Sequence, residues 1–137
     1  MNAKLRVVID TNVVVSALWK GSPWEIMLLL QEGTFHAVVC GDMLNEYKDV
    51  LKRFKLPESD IEQFLSVFYD STKSMTVYPQ KSCNVITEDP SDNIFLDCAV
   101  CGKADYVISG DKHLLKLKKY HNISIINPAG FLRACPT

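Results

Sequence analysis

Four carboxylates lie far apart in this 137-residue sequence, and each falls where a strand should end or a helix begin: Asp10, Glu46, Asp92 and Asp111. Asp10 interrupts the apolar run "RVVIDTNVVVSALW" at residues 6–19, and Asp111 closes "VISGD". Glu46 falls in the first turns of a helical pattern, and Asp92, in "DPSDN", opens another. In a parallel α/β sheet the crossover helices run opposite to the strands. Strand C-termini and helix N-termini then share one edge, the usual ligand crevice. Four acids at one edge repel and raise one another's pKa, so a chain that gathers them calls for a cation. Oxygen donors of this kind suit magnesium or manganese better than softer metals.

Each acid also has a purely local account. Carboxylates near helix N-termini gain about 0.3–1 kcal/mol, and short acids after strands suit turns and caps. Asp42 and Asp89 are read that way, and Asp10 alone would cap a helix starting near Thr11 to Val13. Asn12 and Ser109, beside Asp10 and Asp111, can orient a carboxylate or a metal-bound water, although turn chemistry explains them equally well. Asp97 sits among apolar residues in "NIFLDCAV", where burial without a partner is costly. Its helical angle takes it away from Asp92 and towards Asn93. Either it reaches the metal site from another side, or it bonds Asn93 and backbone.

The elements that must position these groups follow from apolar periodicity. Strands are expected at Leu5 to Ile9, Phe35 to Cys40, Tyr106 to Ser109 and Ile123 to Ile126, with a weaker one at Met75 to Tyr78. Helices are expected from a Ser22 cap, with Pro23 in the first turn, Glu25 as the capping-box acid and Gly33 as the stop, over 42–55, from a capping box at Ser59 to Glu62, from a Ser91 cap to near Gly102, over 112–119, and from Asn127-Pro128. Strands alternating with helices imply an α/β fold with a parallel sheet. Residues 59–69 hold Ile61, Phe64, Leu65, Phe68 and Tyr69, more apolar surface than one helix face needs, which points to a homodimer contact or to burial in the chain's own core.

Length and 47% hydrophobic content fit a single domain over residues 1–137. A net charge of -1 argues against a strongly electrostatic nucleic-acid binder, while leaving room for a local basic patch. The start "MNAKLRVV" has no signal-peptide pattern, and five cysteines without disulfide spacing suit reduced thiols, so a cytoplasmic location and no membrane association are expected. Cys98 and Cys101 form a C-x-x-C inside a helical pattern, read as two small core residues.

"VIDTNVVVSAL", "EYKDVLKR", "DPSDNIFLDCA" and "ADYVISGDKHLL", in that order, resemble the PIN-domain ribonucleases, and down to the closing "ISIINPAGFL" the toxin (VapC-like) branch of toxin–antitoxin pairs. The resemblance implies a three-layer α/β/α fold around a mostly parallel central sheet and magnesium- or manganese-dependent cleavage of RNA. It also implies a cognate antitoxin as partner, and Asp10, Glu46, Asp92 and Asp111 as ligands. Asp10 is then the bridging ligand, Glu46 and Asp92 complete the metal shells or hold the attacking water, and Asp111 acts directly or through water. Many relatives carry a serine before the glutamate helix where this chain has Cys40-Gly41-Asp42, which leaves that helix cap open. Beyond Asp111, Lys112, His113 and Lys116 either position RNA phosphates or form a solvated helix face. Trp19 and Trp24 could stack bases, but packing is the more ordinary use. Two other readings compete: a PIN-like binding module or scaffold that no longer cleaves, and a phosphatase of another doubly wound fold. The latter usually wants a second aspartate where this chain has Asn12.

Overall fold

A computed structural model describes residues 4–80 and 92–135, and of Asp92 the backbone alone. Asp89, Ser91 and the Asp92 side chain, all given roles above, lie outside the described residues, as does Cys83, one of the five cysteines. The strands are β1 (Arg6–Ile9), β2 (His36–Val39), β3 (Ser74–Thr76), β4 (Tyr106–Ile108), β5 (Lys119–Tyr120) and β6 (Ile123–Ile126). They form a sheet in the order β3-β2-β1-β4-β6-β5, parallel throughout except for the antiparallel β5–β6 pair. The helices are α1 (Thr11–Ser16), α2 (Ser22–Glu32), α3 (Gly41–Lys52), α4 (Glu58–Leu65), α5 (Asp92–Cys101), α6 (Lys112–Leu115) and α7 (Pro128–Ala134). The architecture is the expected α/β one: a mostly parallel central sheet with helices packed against it. No single helix among the described residues is long and apolar enough to cross a membrane.

Consecutive residues of the inner strands are buried, Val7, Val8 and Ile9 in β1 and Ala37, Val38 and Val39 in β2. That is the signature of strands covered on both faces, and it explains why these runs are continuous and not alternating. From β1 the chain moves to β2 and then β3 on one side, and later returns to add β4 on the other side of β1. The direction of winding therefore reverses between β1 and β4, which opens a crevice at the C-terminal ends of those two strands. Ile9 pairs with Ile108 at that end, so the residues after each strand leave the sheet side by side. Behind them α5 packs on β1, β2 and β4. Its end comes so close to β2 that a Cβ on Gly102 would stand 2.4 Å from a Val38 methyl.

Several boundaries differ from the sequence-based expectations, each for a local reason. The helix from Ser22 is preceded by Gly21 at φ 81°, a conformation glycine adopts without strain, so Ser22 is its first residue and not its cap. Pro57, in extended conformation, occupies the cap position of α4, and the Ser59 box is not used. After Leu65 the chain tightens into a 3-10 turn at Ser66–Tyr69. That change of pitch lets Ile61, Leu65 and Phe68 all enter the core, leaves Phe64 half-buried, and exposes Tyr69 under the Lys48 ammonium. The helix expected over 112–119 stops at Leu115. Lys118 turns to φ 58° and its carbonyl accepts from Ile125, so the tail becomes the edge strand β5. Of the C-x-x-C pair, Cys98 is buried as expected, but Cys101 is exposed.

Candidate active site

Asp10 is the first residue past β1, and its backbone N–H still donates to Ile108 of β4 at 2.9 Å. The sheet thus holds it, while its extended φ/ψ and its contact with the Asn12 N–H make it the cap of α1. Only 3% of its surface is exposed. Among the described residues, Oδ2 accepts from the Ser109 hydroxyl at 2.6 Å, whereas Oδ1 has one long contact, 3.4 Å from the Asn12 N–H. Burial pushes the pKa of Asp10 up, and the negative fields of Glu46 and Asp111 push the same way, against the lowering by Ser109 and Asn12. A buried carboxylate with one oxygen under-bonded and two further carboxylates acting on it is a site that a cation would relieve.

The other groups are tied to the same seam. Ser109, fully buried, accepts from the Asp111 backbone N–H at 2.9 Å while donating to Asp10, so one hydroxyl fixes the spacing between the two acids. Asp111 then caps α6, with Oδ1 accepting from the His113 N–H at 2.7 Å. Glu46 arrives on α3, and its Oε2 accepts from the hydroxyl of Thr11, the residue after Asp10, at 2.5 Å. The next residue, Tyr47, is fully buried and donates to the Ile9 carbonyl, also at 2.5 Å, which pins α3 to the end of β1. Burial drives the Tyr47 phenol well above its ordinary pKa, so it remains a donor. Thr11 and Tyr47 were not singled out as site residues from sequence. A threonine next to Asp10 and an aromatic next to Glu46 were the available signal, but the pairing of residues 35 and 38 positions apart is visible only in the fold.

Cys40, in the stretch whose helix cap the sequence leaves open, occupies the cap position of α3, and its side chain makes no capping bond. It faces Cys98 of α5 instead. The Cys98 thiol donates to it and holds its pKa down at about 6, against the opposing effect of burial, while Cys98 is pushed up.

The remaining expectations separate. Asn12 is exposed, and the contact it makes with Asp10 comes from its backbone N–H. Asn93 is buried near the start of α5, whose backbone begins at Asp92. Asp97 lines a different feature, a pocket of about 320 Å³ shared with Gln80, Cys101, Tyr120 and His121. Lys112 and Lys116 are exposed and His113 half-exposed at the two ends of α6, directly beyond Asp111. Trp19 and Trp24 do not pack away: they are 64% and 39% exposed. Among the described residues no three His, Cys, Asp or Glu side chains stand close enough to form a metal cage unaided.

This fold, with acids gathered where β1 and β4 diverge, defines an α/β domain of the PIN type. Residues 6–113 match the family model for the PIN domain, and the chain belongs to that family. It is 33% identical over 131 residues to an uncharacterized protein of Methanocaldococcus jannaschii, covering 90% of this chain and 82% of that one. Its fold is also that of a chain in the crystal structure of VapBC2 from Rickettsia felis bound to a DNA fragment from its promoter. The TM-score is 0.61 at 16% identity, covering 90% of this chain and 98% of the other.

Proposed function

We propose that the chain, acting as one domain over residues 1–137, is a divalent-metal-dependent endoribonuclease and the toxin of a toxin–antitoxin pair. The observation that carries this reading is Asp10: buried, raised in pKa, under-bonded at Oδ1, and placed at the β1–β4 crevice with Glu46 and Asp111 acting on it. The donor set is all carboxylate, which fits magnesium or manganese. Asp10 would hold the ion, Glu46 and Asp92 would complete its shell, and Asp111 would reach it directly or through water. When bound, such an ion neutralises charge on the scissile phosphate and acidifies a water. The chain's own residues do the positioning. Thr11 fixes the Glu46 carboxylate, Ser109 sets Asp10 against Asp111, and Lys112, His113 and Lys116 lie where phosphates leaving the crevice would pass.

The toxin assignment rests on family membership and on the likeness to a chain of a VapBC2 complex, and it brings a cognate antitoxin as partner. A cytoplasmic site of action accords with the free thiols of Cys40, Cys98, Cys101 and Cys135. A homodimer remains part of the reading, although Ile61, Leu65 and Phe68 now belong to the chain's own core. The experiment is cleavage of a mixed RNA pool in magnesium or manganese, in chelator, and by Asp10→Asn. Metal-dependent cleavage lost in the variant supports the reading. Cleavage that survives chelator refutes it, and absence of cleavage with intact manganese binding would leave a PIN-like binding module instead.

A further inference from the structure

Trp19 and Phe54 form an aromatic pair on the surface. Their ring centroids are 5.2 Å apart, edge to face, yet the residues are 64% and 44% exposed. Trp19 ends the 3-10 turn that follows α1, and Phe54 lies just past the end of α3. Five residues after Trp19, Trp24, 39% exposed in the first turn of α2, carries the Lys20 ammonium 5.7 Å from its ring centroid. Segments 19–25 and 52–55 contain four cations, Lys20, Lys52, Arg53 and Lys55, against one carboxylate, Glu25, in a chain whose net charge is -1. All four cations are exposed. Lys52 shares a groove with Glu58, which leaves Lys20, over the Trp24 ring, and Arg53 and Lys55, flanking Phe54 in sequence, as the cations of these segments.

The position of this patch is tied to the acids by two helices. α1 begins at Asp10 and delivers Trp19. α3 carries Glu46 and, eight residues on, delivers Phe54. At about 1.5 Å per residue these paths separate the Trp19 and Phe54 backbones from those of Asp10 and Glu46 by roughly 10–15 Å. We propose that Trp19, Phe54 and Trp24, with Lys20, Arg53 and Lys55, form a stacking platform for single-stranded RNA a few nucleotides from the scissile phosphate. Aromatic faces accept any base by stacking and cations track the backbone, the combination that sequence-tolerant single-strand binding uses. A surface built for a purely apolar helix would not need three cations around it, and one built for duplex phosphates alone would not need exposed rings.

The inference rests on the ribonuclease reading, but its test does not. Oligouridylates of about four and about sixteen nucleotides, spanning common single-strand site sizes, are titrated in chelator with tryptophan fluorescence as the readout. The longer RNA should bind more tightly and quench tryptophan emission. Trp19→Ala should weaken it roughly tenfold, equivalent to about 1.4 kcal/mol. Trp19→Tyr should restore most of the loss, which separates stacking from a folding defect. Trp19-dependent binding by a protein that cleaves nothing would uphold the platform while removing the nuclease. Metal-dependent cleavage with unaltered long-RNA binding in Trp19→Ala and Phe54→Ala would do the reverse. A Trp19→Ala variant that binds RNA normally but sediments at half the wild-type mass would overturn the platform in favour of self-association.

Discussion

The seam between β1 and β4 and the edge formed by β5 and β6 are both built from short strands, but under opposite constraints. At the seam, Val7, Val8, Ile9, Val107 and Ile108 are all buried, and the hydrogen bonds of Ser109, Thr11 and Tyr47 fix each polar group that leaves the sheet. At the edge, β5 is two residues long, Lys119 is exposed, and the connection to β6 passes through His121 and Asn122, both at positive φ. Polar groups in the dry seam have one arrangement open to them, and charge there is held at a cost. Polar groups at the edge exchange with water at little cost. On the proposed nuclease reading, chemistry falls to the first region because a misplaced carboxylate there cannot relax.

Removing the charge at the seam should have the largest effect. Asp10→Asn should lower RNA cleavage at least about a thousandfold, corresponding to roughly 4 kcal/mol of lost charge stabilisation, while circular dichroism and melting show a fold no less stable. Activity within tenfold of wild type would remove Asp10 from the mechanism. Thr11→Val is subtler, since it keeps the side-chain shape but frees Glu46 from the hydroxyl that fixes it. Loss of such a positioning contact should cost roughly 10–100-fold in cleavage and weaken manganese binding in parallel. A variant that cleaves normally would mean that Glu46 needs no help to reach its place.

The seam's cost is readable in pH. The folded-state pKa of Asp10 lies above its ordinary value of 3.8, so between those two values the folded chain holds more protons than the unfolded one. Stability contributed by this group therefore falls as pH rises from about 3.8 through the folded-state pKa, and stays lower above it. In Asp10→Asn that component of the slope should vanish, raising Tm at neutral pH by a few degrees, and manganese should raise the wild type but not the variant. Parallel pH profiles for the two proteins would show that burial of Asp10 carries no such penalty.

The contrast also explains what could be read from sequence. The seam's strands announce themselves as short Val- and Ile-rich runs, because burial on both faces leaves no room for other residues, and the capping preference of aspartate marks where each ends. Asp10 and Asp111 were found that way. Thr11–Glu46 and Tyr47–Ile9 were not, because contacts between distant elements leave no periodic trace. At the edge, "KHLLKLKKYH" has helical spacing, yet pairing with β6 overrides it after Leu115. Local propensity is a weak prior wherever a sheet edge offers hydrogen bonds.

The edge itself yields the smallest effect. His121 and Asn122 form the two-residue link between β5 and β6 at φ 50° and 65°, both central positions in the left-handed region that a type I′ hairpin requires. Asparagine tolerates that region and glycine prefers it, particularly at the second position of such a turn. Asn122→Gly should therefore relieve backbone strain at an exposed site on the far edge of the sheet from β1. The gain is partly offset by greater freedom in the unfolded chain, leaving about 0.5 kcal/mol and a rise in Tm of a degree or more. Cleavage should be unchanged. A fall in Tm would mean that the asparagine side chain, and not the backbone, holds the turn. A change in cleavage would mean that the edge is coupled to the seam through β6, and the independence of the two regions would fail.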